Sequence, residues 1–237
     1  MDFPDIIILA GGLGTRLRDS VQNLPKAMAP VNGKPFLEYQ FDFINQFGFK
    51  RVILSTGYLS NAIEDYFGNS YKNLELVYSK EDVPLGTGGA VKLAFQHVLS
   101  PHALVMNGDT LFCINLDQFF QRHIEELAKV SVALRFVENA SRYGLVECSS
   151  DGSILGFHEK SDRAASGFIN GGIYLIKARY FNGLDFPEKF SLEKDFFEKK
   201  LDPRWYKAQI FSDYFLDIGI PDDYLRAQKE FNEFKDR

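Results

Sequence analysis

The sequence predicts an α/β fold: a mainly parallel mixed sheet flanked by helices, with antiparallel additions in its second half. Three observations predict it. Residues 5–10 (DIIILA) form a continuous apolar run ending at glycines, the pattern of a strand buried on both faces. Strand-like and helix-like segments then alternate at short intervals as far as residue 109, which marks βαβ units. Beyond residue 129, VSVALRFVE, GLVECS, SILGFHEK and FINGGIYLIK follow one another as strands without long helices between them.

The first half reads element by element. After the first strand, GGLGTRLR is a loop. Phe36, Leu37, Phe41, Ile44 and Phe47 recur at helical spacing until Gly48 stops the pattern. RVILST (51–56) is the next strand, and LSNAIEDYF (59–67) is a short helix with Ser60 or Asn61 as its cap. LELVYS (74–79), AVKLAFQHV (90–98) and ALVMNGD (103–109) continue as strand, helix, and strand with turn. In parallel sheets of this kind the loops at the carboxyl ends of the strands carry the ligand site. In the second half, a helix is expected near 117–128 and another at SLEKDFFEKKL (191–201). YKAQIF is then a strand, DIGIPDDY a turn, and Pro221 suits the first turn of a terminal helix.

The chain has 237 residues, 45% apolar and 25% charged. At roughly 100–200 residues per domain, it reads as one domain spanning 1–237. Its 23 Phe and 11 Tyr supply core material and exclude global disorder. A net charge of −5 without a basic run excludes tracking of a nucleic-acid backbone, although a few cations and backbone N–H groups suffice for a local anion site. Cys113 and Cys148 form neither a CxxC pair nor a metal spacing, which suggests a reducing compartment. The first apolar run ends at Ala10, too short for a signal-peptide core or a membrane span, so a soluble cytoplasmic protein is expected. No internal repeat, low-complexity segment or linker divides the sequence.

Gly11-Gly12-Leu13-Gly14-Thr15-Arg16, placed directly after a buried strand, is a phosphate-binding design. Its glycines let the backbone approach a ligand, and successive N–H groups form an anion-binding hollow. The dinucleotide fingerprint fails because Leu17 stands where glycine or alanine is required, and no Walker A continuation exists. Arg16 and, ten residues on, Lys26 supply a planar fork and a point charge for phosphate oxygens. At about 4 Å and an effective dielectric of about 20, each cation contributes on the order of 4 kcal/mol of gross attraction.

LAGGLGTRL (9–17) followed by PKAMAPVNGKP (25–35) resembles the sugar-phosphate nucleotidyltransferases, or nucleotide-sugar pyrophosphorylases. PLGTGGA (84–90), NGD (107–109), EK (159–160), NGGIY (170–174) and DIGIPDDY (217–224) arrive in that family's order. Within the family, PKAMAPVNGKPFLEYQ and PLGTGGAVK are most similar to the guanylyltransferases of heptose 1-phosphate. The resemblance implies a Rossmann-like three-layer α/β/α nucleotidyltransferase fold, with residues 1–112 mainly binding nucleotide and 113–237 mainly binding sugar phosphate. It implies a reaction in which a sugar 1-phosphate attacks the α-phosphorus of a nucleoside triphosphate, GTP on the narrower likeness, and releases pyrophosphate. No protein nucleophile is required, and the sequence shows neither a G-x-S-x-G elbow nor a His/Cys metal cluster.

Carried over by motif, the resemblance implies that Leu9, Gly11, Gly12, Gly14 and Thr15 line the nucleotide. Arg16 would bind its outer phosphates and Lys26 would stabilise charge in the transition state. Gly86, Thr87 and Gly88 would approach base and ribose. Asp109 and Asp217 would hold Mg²⁺, leaving other positions to phosphate and water. Asn107, Gly144, Glu159, Lys160, Asn170 and Gly171 would meet the sugar phosphate. Guanine presents N1–H and N2–H donors, and Glu81, three residues before Pro84, is the candidate acceptor. His97, His102, His123 and His158 show no partner spacing and read as surface or packing residues. Alternatives are a uridylyl-, thymidylyl- or cytidylyltransferase for another sugar or choline phosphate, and a non-catalytic nucleotide-sugar-binding regulator.

Overall fold

The structure, a computed structural model, describes residues 3–12, 24–57, 59–141, 143–158 and 166–231. Gly14, Thr15, Arg16, Glu159 and Lys160 lie outside the described residues.

The sheet is built from the predicted apolar runs. β1 (Asp5–Leu9) is followed by the short hairpin β2 (Pro30–Val31) and β3 (Lys34–Pro35), helix α1 (Phe36–Ile44) and strand β4 (Arg51–Thr56). Next come α2 (Ser60–Phe67), β5 (Ser70–Tyr71), β6 (Leu74–Lys80), α3 (Gly86–Ala94) and β7 (His102–Asn107). β1 pairs in parallel with β4 and β7, and β4 pairs in parallel with β6. Alternate residues of these strands enter different cores: Ile6, Ile8, Val52 and Leu54 one, Ile7 and Ile53 the other. This two-sided burial explains the unbroken apolar runs, and each such side chain contributes about 1.5–3 kcal/mol.

The second half adds β8 (Thr110–Phe112), α4 (Leu116–Glu125), β9 (Val130–Val137), β10 (Leu145–Cys148), β11 (Ile154–His158) and the long β12 (Gly167–Lys177). β12 runs antiparallel to β7, β9 and β10, so the expected antiparallel additions attach directly to the parallel core. After α5 (Ala178–Asn182) come β13 (Tyr206–Phe211), β14 (Phe215–Asp217) and α6 (Pro221–Glu230). β13 departs from the antiparallel pattern and joins β9 in parallel. Helices α1, α2, α4 and α6 bury residues in one core; α3, α5 and a turn of π-helix at Leu192–Glu198 bury theirs in the other. The result is the three-layer α/β/α arrangement.

Several local expectations are corrected. No side chain caps α2: Leu59, at φ 63°, holds the cap position instead of Ser60 or Asn61. α4 starts at Leu116, with Asn115 accepting a bond from the Gln118 N–H. The helix expected at 191–201 is the π-helix, capped where the Ser191 hydroxyl accepts from Lys194 N–H. Its wide turn buries Leu192, Phe196 and Phe197 together. α3 begins at Gly86 rather than Ala90, so the PLGTGG glycines lie in a helical turn and not in a loop.

Candidate active site

The register brings Leu9, Ser55 and Asn107 side by side at the carboxyl ends of β1, β4 and β7. Two cavities open there. The smaller, about 320 Å³, is lined by Leu9, Gly11, Gly12, Glu81, Gly86, Thr87 and Asn107 among others. The larger, about 650 Å³, lies toward β10, β11 and the π-helix and includes Gly144 and Asn170 in its wall. Lys26, Asp109 and Glu193 line both.

In the smaller cavity, Gly11 and Gly57 close over Glu81: a β-carbon at either glycine would lie 3.5 or 3.3 Å from Glu81 Oε2. The Glu81 backbone N–H donates to the Thr56 carbonyl at 2.8 Å, which fixes it at the end of β6 beside β4. Its Oε1 is shut away from solvent without a partner among the described residues. Burial pushes the Glu81 carboxyl above the ordinary carboxylate range, offset in part by the Leu85 N–H. Thr87 faces this cavity, but its hydroxyl is committed to the π-helix: it donates to Glu193 Oε2 at 2.7 Å and accepts from Leu192 N–H at 2.9 Å.

Gly88 and Gly171 are not among the residues that line either cavity. A β-carbon at Gly88 would stand 2.3 Å from the Phe190 ring, and one at Gly171 2.5 Å from the Phe112 ring. Both are glycine because packing leaves no room. Gly86 has φ +76° and a β-carbon there would meet the Phe190 carbonyl at 2.6 Å, so glycine is required twice over.

The two aspartates come together through a pairing that joins distant parts of the chain. β8 and β14 form a separate antiparallel ribbon in which Thr110 faces Asp217, and Ile218 N–H donates to the Asp109 carbonyl at 2.9 Å. Lys26 Nζ bonds and ion-pairs with Asp109 Oδ2, and Thr110 Oγ1 donates to its Oδ1 at 3.2 Å. Gly219 N–H donates to Asp217 Oδ1 at 2.7 Å, and a β-carbon at Gly219 would lie 3.0 Å from Lys26 Nζ. Burial first, then the charge of Asp109, pushes the Asp217 carboxyl upward; Lys26 and the Gly219 N–H work against the rise. Two hard carboxylates against one ammonium form a donor set suited to a divalent cation. Among the described residues no group of three or more His, Cys, Asp or Glu could hold a metal alone.

The turn that presents Asp109 is held from behind. Gln40 of α1, fully buried, donates to the carbonyls of Asn107 at 2.8 Å and Thr110 at 2.7 Å, one on each side of Gly108-Asp109. Gly108 itself packs on β1, where a β-carbon would meet the Leu9 carbonyl at 2.5 Å.

On the larger side, Asn170 Oδ1 accepts from Gly172 N–H at 2.9 Å, in the stretch where β12 shifts register against β9. Gly172 has φ +75°, so the NGG motif is a bulge that turns Asn170 into the cavity. The sequence reading missed Ser191, Glu193, Lys194, Glu198 and Asp223, which also line this cavity. His158 is exposed, as the sequence reading has it, and on that surface it stands in the cavity wall and pairs with Glu147 at 3.2 Å. His102 and His123, read as unpartnered, lie with Nδ1 and Nε2 3.0 Å apart; His123 Nδ1 lies 2.7 Å from Ser131 Oγ. That pair is set by β7 and α4 and has no sequence spacing to reveal it.

Among the described residues no helix is long and apolar enough to cross a membrane. The chain is 46% identical over 230 residues to the D-glycero-alpha-D-manno-heptose 1-phosphate guanylyltransferase of Aneurinibacillus thermoaerophilus, covering 97% of this chain and 99% of that one. It is 42% identical over 218 residues to the enzyme of the same name from Campylobacter jejuni, covering 92% and 96%. Its fold is similar to the crystal structure of HddC from Yersinia pseudotuberculosis complexed with GMP-PN, with a TM-score of 0.84 at 33% identity over 97% of this chain and all of that one. Residues 5–233 match the nucleotidyl transferase family, and the chain belongs to it.

Proposed function

We propose that this protein joins a guanylyl group from GTP to a sugar 1-phosphate, D-glycero-alpha-D-manno-heptose 1-phosphate, giving the GDP-sugar and pyrophosphate. One observation carries the reaction class: two cavities meet at Lys26 and Asp109. The guanylyl and heptose assignments are supported by the names of the two relatives similar to nearly the whole chain.

A phosphate oxygen of the sugar 1-phosphate attacks the α-phosphorus, and the bond from that phosphorus to the pyrophosphate oxygen breaks. Pyrophosphate leaves with the electron pair. The attacking group is already anionic, so the protein supplies alignment and charge rather than a nucleophile. Holding the two substrates in adjoining cavities can contribute on the order of 7–11 kcal/mol through lost freedom already accounted for on binding. Lys26, at the seam, neutralises phosphate charge as the transition state forms. Asp109 and Asp217 fit Mg²⁺, because two partly buried carboxylates stand together against one ammonium, and a cation relieves the rise that Asp109 helps impose on Asp217. When bound, Mg²⁺ supplies charge neutralisation at the phosphates.

Arg16 is assigned to the outer phosphates of the nucleotide, and Glu159 and Lys160 to the sugar hydroxyls and phosphate. Glu81 accepts from the guanine N1–H and N2–H. The first 112 residues bind mainly nucleotide and the remainder mainly the sugar phosphate, with Asp217 crossing to complete the seam.

The test is pyrophosphate release, followed by a coupled phosphate assay, with Mg²⁺ and a matrix of five nucleoside triphosphates against several sugar 1-phosphates. Turnover is expected to be greatest with GTP and heptose 1-phosphate. Equal or better turnover with UTP, dTTP or CTP overturns the guanylyl assignment; no turnover with any pair overturns the enzyme assignment.

A further inference from the structure

The proposed reaction leaves one side chain at the seam without a role. Of the residues that face both cavities, Lys26 and Asp109 have tasks and Glu193 has none. Glu193 comes from the π-helix, an element of the second half, yet it reaches the wall of the nucleotide cavity.

Its carboxylate is aimed. Thr87 Oγ1 donates to Glu193 Oε2 at 2.7 Å and Ser191 Oγ donates to the same oxygen at 2.8 Å. Each hydroxyl has one proton and spends it here. Each is itself oriented by a backbone N–H, Leu192 for Thr87 and Lys194 for Ser191, at 2.9 and 3.2 Å. One carboxylate oxygen is thereby held from both sides, while among the described residues no hydrogen bond reaches Oε1. Two dedicated donors on a single carboxylate oxygen define the direction of the other.

A carboxylate at this position repels phosphate oxygens, and with the guanine N–H groups assigned to Glu81 the remaining substrate donors are hydroxyls. Both substrates carry them next to the reacting phosphates. We propose that Glu193 is a specificity-determining residue of this reaction: through Oε1 it accepts a hydrogen bond from a substrate hydroxyl at the seam, on the ribose of the nucleotide or on the ring of the sugar 1-phosphate. The inference rests on the function proposed above. It also gives Thr87 a task, since the threonine positions Glu193 rather than touching the base with its hydroxyl.

The test compares wild type with Glu193→Gln, which keeps an oxygen for Thr87 and Ser191 and turns an amide toward the seam. Steady-state kcat and KM are measured for GTP, its 2′-deoxy and 3′-deoxy analogues, the heptose 1-phosphate, and its mono-deoxy ring analogues. Wild type is expected to lose roughly tenfold to a hundredfold in kcat/KM when one particular hydroxyl is removed, the range of one hydrogen bond to a charged group. E193Q should show a similar loss on the intact substrate and be indifferent to removal of that same hydroxyl. Which analogue behaves so identifies ribose or sugar. Thr87→Val should raise KM for that same substrate and blunt the same discrimination. If E193Q retains the wild-type discrimination against every deoxy analogue, whether or not its overall rate falls, the carboxylate only braces α3 against the π-helix and the proposal is overturned. Failure of the functional reading is separate: there, wild type itself turns over none of the intact pairs.

Discussion

Replacing Glu81 by Gln should weaken the selection of guanine while making the fold more stable. The carboxylate sits against Gly11 and Gly57 at the end of β6, with Oε1 shut from solvent and unpartnered among the described residues. Glu81 lines the smaller cavity, and in the proposed reading its carboxylate turns to meet guanine, which offers N1–H and N2–H together. Glutamine keeps the shape but sets an amide against one of those donors. A hydrogen bond to a charged group contributes about 1.5–3 kcal/mol, so kcat/KM for GTP should fall by about 10- to 150-fold. ITP, which lacks the 2-amino group, separates this from a general loss: wild type should prefer GTP over ITP, and E81Q should treat the two nearly alike. The assay is pyrophosphate release at saturating sugar 1-phosphate. An E81Q enzyme within about twofold of wild type on GTP, with an unchanged GTP/ITP ratio, refutes the reasoning.

Stability should move the other way in the same variant. Burial raises the Glu81 carboxyl, so the folded state holds its proton to a higher pH than the unfolded chain does. The resulting cost sets in as pH rises past the ordinary value of about 4.3 and is complete above the raised one. Glutamine carries no such cost. E81Q should therefore melt above wild type at pH 7, with the difference disappearing below about pH 4; equal melting temperatures at pH 7 would show that the ionised carboxylate is not strained by burial. A site residue that stabilises the protein when neutralised is the mark of a position kept for its ligand.

Lys26→Ala and Asp109→Ala should each cut pyrophosphate release by about 10²- to 10³-fold while leaving the circular dichroism spectrum intact, and retained activity in either removes its assigned role. Gly88→Ala should destabilise by about 1–3 kcal/mol in urea unfolding with little change in nucleotide affinity, because its β-carbon would press into the Phe190 ring at 2.3 Å. His123 is held neutral, its pKa pushed down to about 3 by burial, His102 and Lys177, and His102 is lowered by burial and Lys177 as well. The unfolded chain takes up these protons from about pH 6.5, so stability should fall as pH drops below it, for His123 as far as its lowered value of about 3 and by up to about 1.4 kcal/mol per pH unit. His123→Asn should flatten that slope in urea melts between pH 7 and 5, and an unchanged slope removes the pair from the account.

What could be read from the sequence was what local physics decides. Runs such as residues 5–10 and 51–56 are apolar on both faces because helices cover both faces, and they stand out unaided. The DIG and NGD aspartates were legible as motif members, and the resemblance implied that they meet at one metal, but the pairing that brings them together was not legible. It depends on β8 and β14, three residues each, too short to carry a pattern and joined only by the fold. Gly88 and Gly171 show the opposite limit: in a glycine-rich motif, a glycine that approaches a ligand and one that makes room for a phenylalanine look the same in sequence. Gln40 reads as one polar position on an amphipathic helix, and nothing local says that its two amide hydrogens hold both ends of the Asp109 turn. Glu193 lies in a segment that the sequence marked only as a helix, and nothing local sets it apart from the charges beside it.

The placement of Lys26 follows from the electrostatics of its neighbours. Without a ligand, Asp109 and Asp217 would oppose each other at a partly buried site, and Lys26 relieves this by pairing with Asp109. A lysine suits the position better than an arginine, since a point charge on a flexible stem can leave one carboxylate for a phosphate without breaking a bidentate fork. A β-carbon at Gly219 would crowd Lys26 Nζ at 3.0 Å and Asp217 Oδ1 at 2.7 Å, so glycine leaves room for both charged ends. The glycine of the DIG motif is thus explained by the room it leaves for Lys26 and Asp217, since its own backbone needs no left-handed conformation. The same argument accounts for the position of Asp217 on a ribbon outside the main sheet, where the second carboxylate can approach Lys26 and Asp109 without constraining the strands that carry the smaller cavity.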